Sequence, residues 1–136
     1  MLQIETENIV RIIKLHFPNV EAIYLFGSQA TGHKTKNSDI DVAFFSKHRD
    51  NITPLKVYGA QKELEVSLHK DVDLVHLNQA STVFQFQVVN AGVIIYVKNP
   101  SFLLQQEALV LSMYQRLNEE RKHIMNEVAS SGKIYS

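Results

Sequence analysis

The chain has no cysteine. That excludes disulfides, thiolate metal sites and a cysteine nucleophile, and it fits a reducing compartment. An excess of either charge is missing too, since 14 lysines and arginines face 14 aspartates and glutamates. A neutral chain exerts no global pull on nucleic acid or acidic membrane, so direct nucleic-acid binding is not expected. Long apolar runs are absent: a run such as Val93 to Val97 is far below the roughly 20 residues of a membrane span. Glu5 and Glu7 stand where a secretory leader needs basic residues, so the expected location is the cytoplasm, away from membranes. The six histidines show no H-x3-H or HExxH ligand spacing, and only His33, in a polar loop, suggests a role at a site. With 136 residues, one core is affordable and two are not, so residues 1–136 read as a single domain.

Hydrophobic spacing and turn residues divide the chain into eight elements. Ile9, Ile12, Ile13 and Phe17 recur at helical spacing, giving a helix over 6–16 that Pro18-Asn19 ends. Residues 20–26 are dense in β-branched and aromatic side chains and close at Gly27, and 39–45 form a second strand. Thr53-Pro54 starts a helix to Leu68, with Leu55, Tyr58, Leu64 and Leu68 as its apolar positions. A third strand covers 72–77. Ser81 caps a short helix through Asn90, Gly92 ends it, and 93–97 form a fourth strand. After Pro100, Ser101 caps a long helix to Val128 with Leu104, Ala108, Leu111, Leu117, Ile124 and Val128 on its apolar side. The order α-β-β-α-β-α-β-α predicts an α/β (α+β) fold, a small mixed sheet flanked by helices with a long C-terminal helix.

The chemistry concentrates in GSQATGHKTKNSDID, residues 27–41. Side chains alternate faces along a strand, so Asp39 and Asp41 share one face while Ile40 points into the core. Like charges side by side repel unless a divalent cation lies between them. Magnesium fits that need, because it takes oxygen ligands from one or two carboxylates plus substrate phosphates. Gly27 permits a tight turn close to a ligand, and Ser28 with the amides after it can aim donors at a phosphate. Lys34 and Lys36, beside His33, add local positive charge. A third carboxylate comes from KDVDLVHL, where Asp71 and Asp73 share a face; Asp73 is preferred, since Val72 and Leu74 flank it as in-strand neighbours. Two metal ions held by Asp39, Asp41 and Asp73 would activate an attacking hydroxyl and hold departing pyrophosphate, with Asp73 able to accept the hydroxyl proton.

Gly27-Ser28, ten residues, then Asp39-Ile40-Asp41 resembles the GS-X10-DXD signature of the DNA polymerase β-like nucleotidyltransferase superfamily. The short chain, the aspartate in VDLV and the segment FQFQVVNAGVIIYVKNP before a terminal helix are similar to its minimal nucleotidyltransferase (MNT) antitoxins, over residues 8–128. The resemblance implies a protein adenylyltransferase that moves AMP from ATP to a tyrosine hydroxyl of a HEPN-domain toxin, usually an RNase, with which it forms a hetero-oligomer. Many members carry arginines where this chain has Gln29 and Thr31, which leaves Lys34, Lys36 or a partner's residues to neutralise the phosphates. The alternatives are a binding-only antitoxin that occludes its toxin, and a small-molecule nucleotidyltransferase of the aminoglycoside type. The latter usually needs a further helical domain, for which the residues after 101 leave no room.

Overall fold

In the computed structural model, residues 3–27, 40–47 and 50–131 are described. Helix α1 spans Gln3–His16 and buries Ile9, Ile12 and Ile13, the inward face of an amphipathic helix. Strand β1, Val20–Phe26, is buried along its whole length, as is β2, Ile40–Ser46. Two-sided burial requires helices on both faces, which explains why neither strand alternates polar and apolar residues. Helix α2, Pro54–Leu68, begins with Thr53 accepting the Lys56 N–H and ends at His69 in the left-handed region. It crosses over to β3, Val72–His76, which lies parallel to β2. Leu77 leaves the strand and opens a 3-10 turn, Leu77–Gln79, so β3 stops one residue before the expected end. Helix α3, Thr82–Ala91, starts on a Ser81 cap and leads through Gly92 to β4, Val93–Val97. The last helix, α4, covers Pro100–Ser131.

The strands lie in the order β3-β2-β1-β4, with β1 antiparallel to both β2 and β4. On one face, Ile23, Leu25, Ile40, Val42, Phe44, Val72 and Leu74 meet Ile9, Ile12 and Ile13 of α1 and Ala60, Leu64 and Leu68 of α2. On the other, Ala22, Tyr24, Phe26, Ala43 and Phe45 meet Val88 of α3 and Leu103 and Val110 of α4. The buried Tyr24 hydroxyl donates to Glu107 Oε2 at 2.6 Å, tying α4 to the central strand.

Further local expectations need correction, among them the start of α1, which lies at Gln3 and not at 6. The α4 cap is Asn99, whose Oδ1 accepts from the Ser101 and Phe102 amides at 3.0 and 3.2 Å; Ser101 lies inside the helix. The face of α4 that meets the sheet is set by Leu103 and Val110, while Leu104, Leu111 and Ile124 are exposed. Two apolar stripes run along this helix, and the sheet selects one. On α2, Leu55 and Tyr58 face outward and Ala60 fills the inner position instead.

Candidate active site

Two of the three expected carboxylates become direct neighbours. Asp41 of β2 stands in register with Asp73 of the parallel strand β3, and residues opposite each other in a ladder share a face. Across the other ladder Asp41 faces Phe26, whose packing with Ala43 and Phe45 places both carboxylates on the α3–α4 side. Phe84 of α3 stands edge-on to Phe26 with ring centroids 5.4 Å apart, so α3 backs this corner. Asp41 is fully buried and Asp73 half-buried, giving one enclosed and one accessible oxygen donor. Asp71 is exposed; its carbonyl accepts the Ile40 N–H at 3.1 Å, so its backbone helps hold β2 in register.

Gly27 follows Phe26 with φ +66, in the region that favours glycine. It also lies against Asp41: a Cβ there would collide with Oδ2 and stand 3.1 Å from Cγ. The turn that the sequence assigns to a nucleotide is therefore also the lid of the inner carboxylate. Sequence reasoning missed this contact, because a Gly-Ser corner and a distant aspartate carry no mark of their spatial overlap. Ser28, Lys34, Lys36 and Asp39, with His33, Gln29 and Thr31, lie outside the described residues.

The donor set suits magnesium. Asp41 and Asp73 offer hard oxygens in register beside the Gly27 corner, which leaves space where any other side chain would intrude. Among the described residues no cluster of three or more His, Cys, Asp or Glu side chains forms a metal cage. Among the described histidines, His76 serves elsewhere. His76 stacks on Phe44 with centroids 5.0 Å apart, and its Nε2 lies 2.9 Å from the buried Ser46 Oγ; burial pushes its pKa down. Tyr24 is pushed well above the usual phenol range by burial and then by Glu107, which keeps it a hydrogen-bond donor.

Two polar residues of α2 that the sequence reading passed over also touch the site's strand. Glu65 Oε2 accepts the Val72 N–H at 3.1 Å and Gln61 Oε1 accepts the Leu74 N–H at 3.0 Å. Their spacing of four on a helix that precedes a strand was the available signal.

With this geometry in place, the relatives are informative. The family model "Polymerase beta, Nucleotidyltransferase" matches residues 7–101. The protein adenylyltransferase MntA of Shewanella oneidensis is 34% identical over 135 residues, covering 96% of this chain and 92% of that one. A crystal structure of a toxin–antitoxin complex with AMP-PNP matches with TM-score 0.76 and 34% identity, over 91% of this chain and 98% of the matched chain. A structure of the tri-AMPylated Shewanella oneidensis HEPN toxin in complex with MNT antitoxin matches with TM-score 0.75 and 32% identity, over 95% of this chain and 99% of the other. Among the described residues no helix is long and apolar enough to cross a membrane. The chain belongs to the polymerase β nucleotidyltransferase family.

Proposed function

We propose that this chain is the antitoxin of a HEPN/MNT pair, a single nucleotidyltransferase domain over residues 1–136 that transfers AMP from ATP to a tyrosine hydroxyl of its HEPN toxin in the cytoplasm. The observation that carries the reading is the in-register pair Asp41 and Asp73 beside the Gly27 turn, in a chain 34% identical to a protein adenylyltransferase. Asp39, Asp41 and Asp73 would hold two magnesium ions; when bound, these neutralise phosphate charge and favour the ionised acceptor. Gly27 leaves room for the triphosphate close to the main chain, and Ser28, Lys34 and Lys36 supply donors and positive charge to it.

The transfer balances without any further reactant. The tyrosine oxygen attacks the α-phosphorus in line, the bond to the β-phosphate oxygen breaks, and pyrophosphate leaves. Asp73, half-buried on β3, accepts the hydroxyl proton. Positioning and charge neutralisation supply most of the rate in such transfers, which matches a site of carboxylates and backbone.

Incubating the chain with its toxin, ATP and magnesium should add adenylate to one toxin tyrosine, read by mass spectrometry. Asp39→Asn with Asp41→Asn should abolish both the label and neutralisation. A toxin neutralised without a label, or neutralised equally by the double variant, would establish the binding-only antitoxin instead.

A further inference from the structure

Among the described residues strand β3, which carries Asp73, pairs on one side only, with β2. An edge strand turns a row of amides away from its neighbour, and those at positions 72 and 74 bracket the carboxylate. Both are occupied: the Val72 N–H donates to Glu65 Oε2 and the Leu74 N–H to Gln61 Oε1, at 3.1 and 3.0 Å. Glu65 is itself held, its Oε1 lying 3.0 Å from Lys62 Nζ. Lys62 in turn sits 5.1 Å over the Tyr58 ring. Tyr58, Lys62, Glu65 and the Val72 amide thus form one chain of contacts ending beside Asp73. The opposite edge strand differs. Among the described residues no side chain accepts from a β4 amide, and β4 holds none of the candidate site residues.

We propose that Gln61 and Glu65 are positioning residues for Asp73, replacing the missing second ladder so that its carboxylate stays in register with Asp41. The proposal rests on the reading that Asp73 serves adenylate transfer. Its physical basis is tolerance: displacement of a reacting group by about 1 Å can cost a hundredfold in rate, and an edge held by one ladder frays more readily than a strand held on both sides. Edge protection against pairing with other chains would need any blocking group. It would not need two acceptors placed on either side of the one carboxylate.

The test compares Gln61→Met and Glu65→Met, singly and together, with Gln61→Glu and Glu65→Gln, which keep an accepting oxygen. Three quantities are read: the rate of adenylate transfer to the toxin, manganese affinity with AMP-PNP by electron paramagnetic resonance, and the thermal midpoint. The methionine variants should lose about tenfold or more in rate and in manganese affinity, the range typical of residues that orient ligands. KM for the toxin should stay unchanged, and the accepting variants should regain most of the loss. Wild-type rate and affinity in the methionine variants would overturn the proposal. So would a loss that follows the thermal midpoint and is not regained by the accepting variants. If the double variant does not fold, the single variants decide through amide exchange: faster exchange at Val72 or Leu74 with unchanged manganese affinity overturns it. A wild-type chain that leaves the toxin unlabelled would defeat the functional reading, and the manganese measurement would still judge the positioning.

Discussion

Position 27 shows how one residue type can satisfy two demands at once. A side chain there would meet a backbone at φ +66 and the carboxylate of Asp41. The left-handed conformation alone costs a non-glycine residue about 1–2 kcal/mol, and the collision with Asp41 adds to that. Gly27→Ala is therefore expected to lower stability by at least about 1 kcal/mol in urea titration and to abolish adenylate transfer. Transfer at the wild-type rate in a folded Gly27→Ala protein would show that the corner does not shape the site. The sequence made Gly27 and Asp41 legible as candidates because a glycine bend and a D-x-D strand start have separate local meanings. Their contact was not legible, since it depends on Phe26 and Asp41 falling opposite each other in the ladder, a register fixed by the whole sheet.

At the scale of elements, legibility followed the turn residues. Strands 20–26 and 93–97 have the expected bounds because Pro18-Asn19, Gly27, Gly92 and Pro100 punctuate them. Helix phase was harder. On α2 the apolar Leu55 and Tyr58 face outward while the small Ala60 is buried, because closeness to α1 and β3 decides what fits, and local spacing does not record that closeness. The same helix carries Gly59 with nothing within 4 Å of its would-be Cβ. Glycine in a helix interior costs roughly 0.5–1 kcal/mol relative to alanine. Gly59→Ala should stabilise the protein by about that amount, seen as a higher urea midpoint. Thr53→Ala, which removes the acceptor of the Lys56 amide at 3.2 Å, should lower it by about 1 kcal/mol. A Gly59→Ala protein less stable than wild type would reveal a contact made by the outer face of α2.

For the molecule as a whole, His76, Glu65 and Tyr24 are among the described residues that shape stability against pH. Burial holds His76 below its ordinary value, so the unfolded chain takes up protons there that the fold refuses. Stability from His76 is present above about pH 6.5 and declines as pH falls below it. The Val72 amide, and then Lys62, hold Glu65 below the usual carboxylate value, adding a second loss below about pH 4.3. Tyr24 has the opposite sign: raised by burial and Glu107, it contributes stability that is lost as pH climbs past about 10. Thermal midpoints should form a plateau between about pH 6.5 and 10, and His76→Gln should flatten the first acidic decline. A decline of undiminished slope in that variant would assign it to other groups.

The enclosure of Asp41 beneath Gly27 also bears on how such a chain can evolve. A longer acid at 41 would need room that the bend cannot yield, and a larger residue at 27 would need a shorter acid than exists. The two positions are therefore sterically coupled in a chain that keeps the chemistry: only residues no larger than aspartate fit at 41 beneath the bend, and a side chain at 27 becomes admissible only once the acid at 41 is gone.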